Sequence, residues 1–156
     1  MKKNHQKYKV YFKKYKKLID DIDTSSIKKI EENLKRYKSS KNKVFIFGNG
    51  GSASISAHVS TDLVKMCKIR AVTFNEANFI TCFANDYGYE NWIKQALIAH
   101  SNKNDLVILI SSSGKSKNMI NAAKYCKGKI KLITFTGFKK NNALSKIGNI
   151  NLWINS

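Results

Sequence analysis

Tyr8, Tyr11, Tyr15, Leu18 and Ile22 recur at intervals of three and four residues, and so do Ile27, Ile30, Leu34 and Tyr37. That spacing lays an apolar stripe along one side of a helix. Between the two sets, Asp23-Thr24-Ser25-Ser26 interrupts the stripe and offers a fresh N-cap. Residues 1–42 are therefore predicted to form two amphipathic helices, Lys-rich and free of glycine. Their stripe needs a partner, either the domain's own sheet or another subunit. From Lys43 the pattern changes. Short apolar runs near 44–47, 70–74, 106–110, 130–135 and 150–154 read as buried strands, and helical stretches fall near 53–67, 77–84, 90–100, 116–127 and 140–147. Alternating strands and helices predict an α/β fold, a flavodoxin-like sheet of five parallel strands with helices on both faces. Such sheets bind ligands outside the carboxyl ends of the strands, where the strand order reverses.

Two Gly/Ser segments stand at such ends. Gly48-Asn49-Gly50-Gly51-Ser52-Ala53 follows the first predicted strand, and Ser111-Ser112-Ser113-Gly114-Lys115-Ser116 follows the third. Glycine allows a tight turn and a close approach of backbone to ligand. A helix that starts at such a loop points its free amides and the positive end of its dipole at an anion. Serine hydroxyls add donors. Together the two loops predict one phosphorylated ligand held from two sides.

Composition narrows the choice of partner. The formal net charge is +19, yet only Arg36 and Arg70 among the 29 basic residues are arginines. Base and phosphate recognition in nucleic acids favours the arginine fork. Nucleic acid is therefore not an expected partner, and the lysines read as a solvated surface that steers anionic ligands. A helix-turn-helix reading of the first two helices fails for want of a third helix and an Arg-rich face. No apolar run reaches the ~18 residues of a membrane span. The polar start Met1-Lys2-Lys3-Asn4 and the scattered Cys67, Cys82 and Cys126 lead us to expect a cytoplasmic, reduced protein.

Gly48-x-Gly50-x-x-Ala53 also fits the dinucleotide fingerprint, with Glu76 near the end of the second strand. An NAD-binding fragment is the competing expectation. The fingerprint has no use for the second, serine-rich loop, and the chain is short for two mononucleotide halves and a substrate domain.

His58 and Asp62 stand four residues apart on the helix predicted after the first loop, so they share a face. Aldose–ketose exchange moves a proton between neighbouring carbons and needs such acid–base groups. The plain alternative for His58 is a helix histidine with a local hydrogen bond. For His5, in a charged tail, and His100, at a polar helix end, the plain alternative is the expectation.

Taken together, the two loops, His58 and Asp62, Ala84-Asn85-Asp86-Tyr87-Gly88-Tyr89-Glu90 and Thr134-Phe135-Thr136-Gly137 resemble the sugar isomerase (SIS) domain, and within it the phosphoheptose isomerases. The resemblance implies an isomerase acting on sedoheptulose 7-phosphate for surface polysaccharide. It implies that Ser52, Ser111, Ser113 and Ser116, with the backbone of Ser112, hold the phosphate. Asn49, Gly50, Gly51, Asn85 and Asp86 would contact the sugar. Asp62 and His58 would be the catalytic pair and the zinc ligands, and the protein would be a tetramer with sites at subunit contacts.

Two departures qualify this. Asp62 stands where the family carries the longer Glu. The family also continues past its last strand into a helix that supplies a catalytic His and further metal ligands. The expectation is thus an N-terminal helical extension for oligomerisation over 1–42 and an SIS domain over 43–156 without that helix, its activity impaired. The alternative is a non-catalytic module that binds a protein or senses a sugar phosphate, as the DnaA initiator-associating protein does on the same fold.

Overall fold

The structure is a computed structural model that describes residues 2–155, with side chains from Gln6. Two helices, α1 (Lys2–Asp20) and α2 (Thr24–Lys35), precede β1 (Val44–Gly48). The chain continues through α3 (Gly51–Lys65), β2 (Ala71–Val72), α4 (Ala77–Tyr87), α5 (Trp92–His100), β3 (Leu106–Ser111), α6 (Lys117–Cys126), β4 (Lys131–Thr136) and β5 (Ile150–Trp153). The strands form one five-stranded sheet in the order β2-β1-β3-β4-β5, and every pairing is parallel. This is the flavodoxin-like order, with its reversal between β1 and β3. Among the described residues no helix is long and apolar enough to cross a membrane.

Side chains alternate across the pleat, and the sheet has a core on each face. Phe45, Phe47, Val107, Leu109 and Leu132 pack with Trp92, Ile93 and Leu97 of α5 and with Met119, Ala122 and Ala123 of α6. Val44, Ile46, Leu106, Ile108, Ile133 and Leu152 face the other way, against Ile30 of α2 and Leu63 of α3. Helices therefore cover both faces. The second face is covered incompletely. An apolar groove of about 720 Å³ opens there, bounded by Tyr11, Tyr15 and Leu18 of α1, Ile55 and Val59 of α3, and Ile110 and Phe135 of the sheet. Along α1, Tyr8, Tyr11, Phe12, Tyr15 and Ile19 remain exposed.

The expected break between the first two helices is present. Asp23 caps α2, accepting from the Ser25 amide at 3.0 Å and from the Ser25 and Ser26 hydroxyls at 2.6 Å. These bonds hold its carboxyl down to about 2.

Two predicted elements differ. The strand expected over 70–74 narrows to Ala71–Val72, because Phe74 turns into the first core and the Asn75 side chain donates through Nδ2 to the Ala53 carbonyl. The helix expected over 140–147 does not form, and that stretch is a chain of turns. Asn142 Oδ1 accepts from the Ser145 amide, and the Ser145 hydroxyl bonds to the Lys140 and Asn142 carbonyls. Side chains that offer the backbone such local partners compete with helix.

Candidate functional site

The two loops leave the sheet side by side. Gly48 at the end of β1 is in register with Ile110 of β3, so Asn49 and Ser111 emerge from strands about 5 Å apart. At Gly48 the chain folds back so tightly that a Cβ would lie 2.3 Å from the Ser52 carbonyl carbon and oxygen. Gly50, at φ 54° and ψ −123°, then stands at the N-cap of α3 in a backbone conformation that side chains disfavour. Ser52 falls in the first turn, its amide bonded to the Asn49 carbonyl.

The serine loop is equally shaped by its own groups. The Gly114 amide donates to the Ser111 carbonyl at 3.1 Å and to its hydroxyl at 3.2 Å. The Lys115 amide donates to the Ser113 hydroxyl at 3.3 Å. Ser116 precedes α6, and its hydroxyl makes no capping bond. The turns over 140–147 buttress this loop. The Leu144 amide bonds to the Gly114 carbonyl, and Asn142 packs so closely on Gly114 that a Cβ there would sit 2.0 Å from its Oδ1.

Among the described residues, the amides of Gly50, Ser112 and Ser113 donate to no backbone carbonyl. Two helices, α3 and α6, begin here with their dipoles directed at the loops. Neither loop contains an acidic residue, and Lys115 and Lys117 flank Ser116. Unspent amides, serine hydroxyls and positive helix ends are features that suit an anion.

A third segment closes over the first loop. Asn85 and Asp86, expected just after a helix, lie in the last turn of α4, which Gly88 ends at φ 81°. Both are exposed, and Asn85 Nδ2 donates to Asp86 Oδ1 at 3.0 Å. Beyond them the Tyr89 hydroxyl donates to Asn49 Oδ1 at 3.2 Å. Asn49 also exchanges hydrogen bonds with Asn118 of α6.

His58 and Asp62 pair with each other and hydrogen-bond to neither loop. His58 Nε2 lies 3.4 Å from Asp62 Oδ2, and the side chains are 81% and 55% exposed. On α3 they follow by three residues Ile55 and Val59, which line the apolar groove. His100 packs on Phe74, and the side chain of His5 lies outside the described residues.

The family model for the SIS domain matches residues 8–137. The chain belongs to the SIS domain family. Among curated SIS relatives, a phosphoheptose isomerase of Thermodesulfovibrio yellowstonii is 34% identical over 79% of this chain and 65% of its own. A phosphoheptose isomerase 2 of Campylobacter jejuni is 37% identical over 63% of this chain and 51% of its own. The match thus spans about half to two thirds of these relatives' length. Among solved structures, a phosphoheptose isomerase from Francisella tularensis superposes with a TM-score of 0.85 at 22% identity, over 99% of this chain and 85% of that one. One from Neisseria gonorrhoeae gives 0.80 at 21%, over 97% and 83%. These structures share the SIS fold seen here.

The zinc expectation meets a shortage of ligands. A catalytic zinc takes three protein ligands. Among the described residues of one chain, no three His, Cys, Asp or Glu side chains come together. His58 and Asp62 alone do not fit such a site.

Sequence reading passed over Asn118 and Asn142, both 2% exposed. The signal for Asn118 was available: a polar residue on the side of α6 that carries Met119 and Ala122 into the core. Asn142 had none, because a helix was expected around it.

Proposed function

We propose that this SIS domain binds a phosphosugar at the loops after β1 and β3 and interconverts its ketose and aldose forms, with sedoheptulose 7-phosphate as the substrate. The observation that carries the reading is the pair of adjacent loops at the strand-order reversal, with unspent amides on both. Ser52, Ser113 and Ser116 add hydroxyls to those amides around the phosphate, and Ser111 shapes the loop through Gly114. Asn49, Asn85 and Asp86 face the sugar.

The reaction then needs a group that takes a proton from one carbon and returns it to the next. Asp62 is the proton carrier in this proposal, with His58 donating to the sugar oxygen that gains charge. An open helix face leaves such a pair wet, and water weakens both electrostatics and proton control. A second copy packing across α3 and α1 would cover it. The exposed Ile55 and Val59 and the aromatic stripe of α1 support that assembly, with a tetramer as the expected form.

Incubating the chain with sedoheptulose 7-phosphate and resolving the products by chromatography tests the proposal. Formation of the aldose, lost in Asp62→Asn, is expected. Binding without any product would leave a sugar-phosphate sensor. Stabilisation by NAD but not by sugar phosphates would overturn the reading in favour of a dinucleotide site.

A further inference from the structure

We infer that Asn118 is a positioning residue that, with Tyr89, locks the Asn49 carboxamide as a pure hydrogen-bond donor to an oxygen of the sugar. The inference rests on the reading of the loops as a phosphosugar site. Asn118 is the second residue of α6 and 2% exposed. Its Nδ2 donates to Asn49 Oδ1 at 2.8 Å, and Asn49 Nδ2 donates back to Asn118 Oδ1 at 3.0 Å. The Tyr89 hydroxyl reaches Asn49 Oδ1 at 3.2 Å.

An amide oxygen offers two lone pairs and an amide nitrogen two hydrogens. On Asn49 both lone pairs are taken and one hydrogen is spent. A single N–H remains. Asn49 can therefore give a hydrogen bond to a ligand oxygen but cannot accept one from a ligand hydroxyl. Flipping its amide would set nitrogen against nitrogen and oxygen against oxygen. Asn118 cannot flip to compensate, because its Oδ1 also accepts from the Met119 amide at 3.0 Å. The orientation is thus anchored in the backbone of α6 and relayed to the first loop. The matching ligand group is an oxygen with lone pairs to share, such as the carbonyl of an open-chain ketose phosphate.

The test is calorimetric titration of the whole chain with sedoheptulose 7-phosphate and, separately, with inorganic phosphate. Asn118→Leu keeps the side-chain shape and suits a buried position. It should weaken the sugar phosphate about tenfold, as expected for one misdirected hydrogen bond, while leaving inorganic phosphate unchanged. In an Asn49→Ala background the same substitution should add nothing, because no amide is left to orient. Tyr89→Phe alters only the hydroxyl of a side chain 53% exposed, so the fold is safe. It should give a smaller loss that also vanishes in the Asn49→Ala background, and it decides the matter alone if Asn118→Leu does not fold. Unchanged sugar-phosphate affinity overturns the inference. So does an equal loss with and without Asn49, or an equal loss for inorganic phosphate. A wild-type chain that binds neither ligand overturns the site itself, a different result from all of these.

Discussion

Replacing Gly48 with alanine attacks the turn that sets the two loops beside each other. The new Cβ would lie 2.3 Å from the carbonyl carbon and oxygen of Ser52 and 2.7 Å from the Ala53 nitrogen. Carbon contacts are comfortable at about 3.5–4.0 Å, so the first turn of α3 must move by ~1 Å or more. The obstructing atoms are backbone, and no rotamer change relieves them. Overpacking of this kind costs about 1–3 kcal/mol. For a domain of this size that corresponds to a fall in melting temperature of roughly 2–12 °C. Activity should suffer more than stability, because a misplacement of ~1 Å in aligned groups costs on the order of 100-fold in rate. Scanning calorimetry and turnover of sedoheptulose 7-phosphate read the two effects. Gly51→Ala is the stability control. Nothing lies within 4 Å of its Cβ, and reduced freedom of the unfolded chain should raise stability by about 0.4–1 kcal/mol. Gly48→Ala melting and turning over like the wild type would refute the reasoning.

Three further outcomes follow from the packing. Burial pushes the Cys126 thiol up to about 12, so a thiol reagent at mildly alkaline pH should label the exposed Cys67 and Cys82 promptly and Cys126 only after unfolding; equal labelling of all three in the folded chain would contradict the core. The Ser25 hydroxyl, then the Ser26 hydroxyl, holds Asp23 at about 2 rather than 3.8. The folded chain binds fewer protons there, so this capping contribution is complete above 3.8 and fades as pH falls toward 2. Asp23→Ala should remove that part of the acid-unfolding slope, and an identical slope would count against the cap. The proposed α1 contact predicts that the double substitution Tyr11→Asp and Tyr15→Asp raises the monomer fraction in sedimentation velocity, and an unchanged distribution would count against that contact.

Much of this was written in the residues. Ile30 and Leu34 set the inward face of α2, with Tyr37 buried just beyond its end, and the run Val44, Phe45, Ile46 and Phe47 marked a strand with a core on both sides. Both Gly/Ser loops were legible because glycine and serine there serve the turn and the amides more than any packing. The stretch over 140–147 misled because its spacing is helical while its Asn142 and Ser145 side chains bond the backbone into turns. That preference depends on Gly114, nearly thirty residues earlier, which no local pattern reports. The same holds for Asn118: its partner Asn49 lies on another strand's loop, and only the register of β1 with β3 brings them together.

In the proposed site the loops after β1 and β3 grip one phosphate between them. Calorimetric titration of the wild type, Ser52→Ala and Ser113→Ala with sedoheptulose 7-phosphate tests it most directly. A hydrogen bond to a charged group is worth about 1.5–3 kcal/mol, so each substitution should weaken binding roughly ten- to a hundredfold while the stoichiometry stays at one ligand per chain. Two ligands per chain, or a serine whose loss leaves affinity untouched, would contradict the account.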